Sequence, residues 1–160
     1  MNWRMKTVLA FAFLLCLVAC GQQHAPQHSI PATGIGVEGA TLHIEDAWAM
    51  PTPGGVDVSA GYLTIVNGAD TADTLLSVES PRAEHVDVHE MTMNGAVMQM
   101  RPVATLAVTA HDQVTLSPNG RHLMFTGVKQ PFTPGEEIPL DLTFANAGKL
   151  HVTLYVRGPS

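Results

Sequence analysis

Eight methionines and eight histidines stand in a 160-residue chain that has only two cysteines. Five of the methionines fall between residues 91 and 124. Four of these crowd into Met91-Thr92-Met93 and Met98-Gln99-Met100, on either side of Asn94-Gly95. In an extended chain, residues i and i+2 share a face about 6.6 Å apart. His89, Met91 and Met93 then line one face of a first arm, and Met98 and Met100 one face of a second. His122 and Met124 share a face of a later segment, Arg121-His122-Leu123-Met124-Phe125. Thioether sulfur is a soft, uncharged donor and imidazole an intermediate one, so an all-Met/His set suits Cu(I), a soft ion with little geometric demand. Zinc would draw Cys or carboxylate into the set. Methionine is also a common core filler, and the residues alone leave packing and ligation both open.

The elements that would position these side chains read as strands. From residue 41 onward the segments are short and rich in Val, Leu, Ile and Thr, with strand candidates at 41–48, 58–66, 73–79, 85–93, 96–103, 113–117, 121–128, 137–145 and 149–157. Turn residues punctuate them: Pro51 to Gly55, Asn67-Gly68, Asn94-Gly95, Ser117 to Gly120, Pro134-Gly135 and Ala147-Gly148. Asn94-Gly95 suits the central pair of a type I′ hairpin, because both residues tolerate positive φ. Trp48, Tyr62, Phe125 and Phe144 lie in apolar strand contexts and read as core. No stretch shows capped helical periodicity, so the expectation is an all-β Greek-key barrel or sandwich of eight or nine strands. Hydrophobic residues make up 46% and charged ones 14%, which excludes a disordered charged chain. With 8 Lys and Arg and a net charge of −6, no basic patch exists to neutralise phosphates, which argues against a nucleic-acid partner.

The first 19 residues read as an export signal. Arg4 and Lys6 precede the uncharged run Thr7 to Val18, which is too short to span a bilayer stably. The run ends in Leu17-Val18-Ala19-Cys20, which resembles a bacterial lipobox, so Cys20 is expected to be the acylated first residue of the processed protein. Cys16 would leave with the signal, and the processed chain would then have no thiol. Losing Arg4 and Lys6 from the 8 basic residues leaves 6 against 14 acidic ones, a net −8. Residues 20–40 read as the lipidated Cys and a flexible tether, and 41–160 as one β domain. The tether holds a formal G-x-G-x-x-G at Gly34, Gly36 and Gly39, but the dinucleotide motif needs a strand before it and a helix after it. A Pro-rich segment precedes this one, so it is read as an accident of composition.

His89, Met100, His122 and Met124 form the spacing H-x10-M-x21-H-x-M. In this, the chain resembles the periplasmic copper chaperone family PCu(A)C. The resemblance covers most of 41–157 and includes Asp46-Ala47-Trp48-Ala49, Gly61 to Ile65, the block from His89 through Arg101-Pro102-Val103, Gly120 to Met124, and Leu142-Thr143-Phe144. It implies a cupredoxin-like barrel in which His89, Met100, His122 and Met124 hold one Cu(I) per chain near the surface. It also implies a periplasmic carrier that hands copper to a cuproprotein, typically the CuA domain of cytochrome c oxidase, beside a Sco-type thiol protein. Met91 and Met93 are spare thioethers, read as auxiliary metal ligands during transfer. Arg121 departs from the family pattern and places a cation next to His122.

Other readings are weaker. His85, Asp87 and His89 share a strand face and suggest a Zn or hard-ion site, and His24 and His28 a loose Cu(II) site in the tether. The processed chain has no G-x-S-x-G, no H-E-x-x-H and no Cys nucleophile, so an enzyme is not expected. Blue-copper electron transfer needs a Cys ligand, which is also missing. The alternatives kept open are a copper-sequestering or resistance lipoprotein using the same Met/His site, and a structural β-sandwich lipoprotein with a Met-rich core.

Overall fold

The computed structural model describes residues 41–158. The expected signal peptide, Cys20, the tether with His24 and His28, and the Gly34–Gly39 motif lie outside the described residues. Ten strands, and among the described residues no helix, follow one another. They are β1 (Leu42–Ala49), β2 (Val58–Asn67), β3 (Asp73–Glu79), β4 (His85–Asn94), β5 (Val97–Pro102), β6 (Leu106–Val108), β7 (Asp112–Leu116), β8 (Arg121–Thr126), β9 (Glu137–Phe144) and β10 (Gly148–Val156). Nine match expected strands. The tenth, β6, is three residues long, too short for an alternating pattern to be read, and it flanks β3.

Seven strands close into a barrel in the order β4-β8-β2-β1-β10-β9-β3 and back to β4. All neighbours run antiparallel except β1 and β10, which are parallel. The closing β3–β4 seam is a single pair, Val78 opposite Val86. β7 continues along β2 where β8 leaves it, and β5 lies outside the ring, paired only with β4. The barrel is filled by alternate residues of each strand, including Leu63 and Ile65, Leu123 and Phe125, Leu140 and Leu142, and Leu154. Each such side chain stabilises the fold by about 1.5–3 kcal/mol on burial. Phe132, from the loop before β9, closes the core edge-on to Phe125 at 5.3 Å between centroids. The core contains no methionine. The Met-rich-core alternative therefore has no support in the packing.

Two local features decide which side chains face outward. A bulge in β1 between Glu45 and Trp48, with Asp46 at φ 49°, inserts one residue against β2. A one-residue insertion exchanges the faces. Leu42 is buried before it, Ala47 and Ala49 are buried after it, and Trp48 turns outward. Trp48 is thus not core, contrary to expectation. It lies against Tyr62 at 4.4 Å on the outer surface, with the Arg157 guanidinium 5.1 Å from its ring. The second feature is Gly61, where a Cβ would come within 2.9 Å of Phe125 and 3.1 Å of Leu154. The missing side chain leaves room inside the barrel for Phe125 and Leu154.

Asp73, the first residue of β3, is buried and accepts amide hydrogen bonds from Thr74 (2.7 Å), Asn146 (2.9 Å) and Ala147 (2.8 Å). It ties the start of β3 to the β9–β10 turn. Burial raises its carboxyl, but the amides outweigh burial and hold the pKa below the ordinary aspartate value. The stabilisation it gives is therefore present above the ordinary aspartate range and is lost as pH falls through the lowered value. Asp73→Asn is expected to lower unfolding stability by about 1–3 kcal/mol at pH 7, with the gap to wild type narrowing below about pH 4. Urea titrations at both ends of this range check it, and an equal gap at pH 7 and pH 3 would contradict it.

Candidate metal centre

The candidate ligands meet through strand register. In the β4–β8 ladder His89 stands opposite His122, and Asp87 opposite Met124. In the β4–β5 ladder Met91 stands opposite Met100, and Met93 opposite Met98. Directly opposite residues of an antiparallel pair share a face, and residues two apart on one strand share it too. All of His89, Met100, His122 and Met124, with Met91, Met93 and Met98, therefore lie on one face of the β5-β4-β8 sheet. It is the outer face, since Val86, Val88, Leu123 and Phe125 point into the barrel. Two strands far apart in the chain and one hairpin partner thus bring the four expected ligands to one surface.

The two rings are prepared differently. His122 is buried although it is on the outer face. Tyr62, one residue beyond the Gly61–Leu123 pair, lies level with it on that face. Burial pushes the Tyr62 phenol up, which keeps it neutral. His122 Nδ1 lies 3.2 Å from the Gly120 carbonyl oxygen. A carbonyl can only accept, so Nδ1 carries the proton and Nε2 keeps its lone pair in the neutral ring. His89 Nδ1 is buried and has no hydrogen-bond partner. A buried polar atom without a partner is costly, and an ion bound there would satisfy it. The ring centroids are 6.1 Å apart, tilted by 52°. Two imidazoles each about 2 Å from a shared ion have centroids roughly 5–6 Å apart, so little movement would let both reach one ion.

The sulfur donors are at the surface. Met100 is 49% exposed, Met98 58% and Met93 65%, while Met91 and Met124 are half-buried. Packing does not account for them. Soft donors with exposed thioethers and one fixed imidazole can hold a soft monovalent ion and release it by stepwise exchange. The face also carries Asp87, whose place across from Met124 sequence spacing did not reveal. The β4–β8 register places this carboxylate in the next pair on that face, two residues along from the His89–His122 pair. Arg121 does not set its charge on this face. It pairs with Glu90 on the opposite face, Nε to Oε1 at 2.9 Å.

Several expectations need correction. No three His, Cys, Asp or Glu side chains among the described residues come together to hold a metal, so His85, Asp87 and His89 do not form a zinc-type cluster. His85 and Asp87 instead border a cleft of about 460 Å³ at the β3–β4 seam with Glu79 and Glu84. In the hairpin, Asn94 closes the ladder against Val97, so Gly95 and Ala96 are the turn pair. Gly95 has φ 64° and Ala96 does not have positive φ. This is the type II′ pattern, with Gly first, rather than the I′ turn expected on Asn94-Gly95.

Comparison with known proteins agrees with this architecture. Residues 42–156 match the family model LpqE-like, described as "Putative lipoprotein LpqE-like", and the chain belongs to this family. Among curated relatives, "Putative lipoprotein Lxx21020" of Leifsonia xyli subsp. xyli is 25% identical over 96% of this chain and 89% of its own length. "Uncharacterized protein RP573" of Rickettsia prowazekii is 24% identical over 88% of this chain and 87% of its own. The fold is similar to that of the copper-bound PCuAC domain from PmoF2, with a TM-score of 0.64 and 24% identity over 74% of this chain and 94% of that one. It is also similar to CuI-DR1885 from Deinococcus radiodurans, with a TM-score of 0.58 and 25% identity over 83% and 93%. The resemblance to PCu(A)C proteins and the cupredoxin-like all-β fold it implied are borne out.

The His122 geometry makes a direct prediction. Long-range ¹⁵N–¹H correlation spectra of the copper-free protein near pH 8 are expected to show the His122 proton on Nδ1 and a bare Nε2. A proton on Nε2 would contradict the arrangement.

Proposed function

We propose that the protein is a Cu(I)-binding metallochaperone, exported to the periplasmic side of a bacterial membrane and anchored there through acylated Cys20. Its cargo is one Cu(I) per chain, held by His89, Met100, His122 and Met124, and it performs no catalysis of its own. The observation that carries this reading is the His89–His122 pair. The two imidazoles stand in register on an outer face with thioethers on their own two strands and on β5, one ring has a fixed tautomer, and the other has a buried nitrogen without a partner. Support also comes from PCuAC domains of the same fold described as copper-bound and as the CuI form. The lipoprotein names of the family and of one relative support the anchor.

The donor set explains how such a carrier works. Neutral Met and His leave the complex its positive charge, so binding is weaker than at thiolates and handover to a thiolate-rich acceptor is downhill. Met100 is half exposed at the start of the hairpin arm, where a recipient's ligand can displace it first. The acidic body steers a basic partner face toward this site, an effect that fades with salt. The recipient proposed is the CuA domain of cytochrome c oxidase, with a Sco-type thiol protein as a second partner.

Anaerobic titration with Cu(I) against a coloured chelator tests the reading. Wild type is expected to bind one tight equivalent. His122→Ala/Met124→Ala, folded by circular dichroism, is expected to bind it at least about 100-fold more weakly, while Met50→Leu on the loop after β1 leaves it unchanged. Loss of copper to an isolated CuA domain then separates a carrier from a sequestering protein. A wild-type protein that does not compete with the chelator would overturn the proposal.

A further inference from the structure

The β4–β5 hairpin runs past the barrel. β4 pairs with β8 only as far as Glu90, and beyond that point its only ladder partner is β5. Its two faces differ completely in chemistry. One carries Glu90, Thr92, Gln99 and Arg101 with Val97, and the other carries only thioethers, Met91 opposite Met100 and Met93 opposite Met98. A free hairpin is better stabilised by β-branched and aromatic cross-strand pairs, and methionine is neither. No described part of the chain covers this face, because Met93 and Met98 are each more than half exposed. Four thioethers on an uncovered ribbon serve no packing role in the barrel, yet their spacing fits ligation. Directly opposite Cβ atoms lie about 5 Å apart, and three rotatable bonds let each sulfur swing over the strand pair.

We propose that Met91, Met93 and Met98 form a second soft-metal site, an all-thioether site for Cu(I) or Ag(I) at the hairpin tip. It lies one to two strand steps from the His89–His122 pair. Only the choice of Cu(I) as its natural ion rests on the function proposed above; the site itself rests on the register and exposure of the sulfurs. Lacking imidazole and more open to water, it binds more weakly than the four-ligand set. Met91 is the innermost sulfur of the tip site and stands opposite Met100, so an ion captured at the tip has a continuous row of sulfur donors leading inward. No change of oxidation state is involved, since one thioether replaces another at the ion.

The test is an anaerobic Cu(I) titration of the whole chain in detergent, labelled with ¹³C at the methionine methyls, following each methyl by NMR. The Met100 and Met124 methyls are expected to shift with the first equivalent. Met93 and Met98 are expected to shift with a second, at roughly tenfold higher free Cu(I). Met93→Leu/Met98→Leu keeps the apolar face and is expected to retain the first equivalent and lose the second. His122→Leu/Met124→Leu is expected to lose the first while Met93 and Met98 still shift. Binding of one equivalent in wild type with unmoved Met93 and Met98 methyls at excess Cu(I) would overturn the second site and leave the first standing. Shifts at Met93 and Met98 in a protein that never shows the first equivalent would uphold the tip site and overturn the four-ligand reading.

Discussion

The antiparallel register between β4 and β8 is the constraint on which the candidate metal centre depends. His89 meets His122 only because this ladder pairs Val86 with Phe125 and Val88 with Leu123 on the inner face. A slip of β4 by one residue would carry His89 into the barrel and push Val86 and Val88 into water. The core therefore holds the ligands in place. Four buried apolar side chains favour the one register that also brings two imidazoles to the same level. No histidine or methionine has to contribute to folding for the site to be built.

This division of labour runs through the whole barrel. The interior is Leu, Val, Ile, Phe and Ala, and every described methionine lies outside it. The β4–β8 pairing fixes the level of the two imidazoles. The sulfur donors sit where the chain is least constrained, on the arm that leaves the ring. The proposed carrier would use this combination, with the imidazole pair as a preorganised half of the coordination shell and flexible thioethers as the half that can be exchanged. The His122 hydrogen bond to the Gly120 carbonyl belongs to the fixed half, because it turns Nε2 into a donor before any ion arrives.

Much of this was legible in the sequence, for physical reasons. Alternation of apolar and polar residues is strong in strands with one wet face, so nine strands were found near their true positions, and i, i+2 spacing put the ligands on common faces within each strand. What alternation cannot convey is pairing across strands. That left Asp87 unnoticed opposite Met124, and it left the His85-Asp87-His89 face as a metal candidate that the fold does not assemble. The bulge at Asp46 reversed the parity of β1, so Trp48, apolar and in a strand, went to the surface against Tyr62. β6 was missed because three residues carry no period. The hairpin turn moved by one residue because Asn94 and Gly95 each accept positive φ, and local preference alone does not say which pair closes the ladder.

The central claim is that one Cu(I) is held by two imidazoles and two thioethers gathered by that register. Copper K-edge X-ray absorption on the protein loaded with one equivalent addresses it most directly. The account predicts two nitrogen scatterers near about 2.0 Å and two sulfur scatterers near about 2.3 Å, with one nitrogen lost in His89→Ala. A first shell of sulfur alone, or one unchanged by His89→Ala, would contradict it.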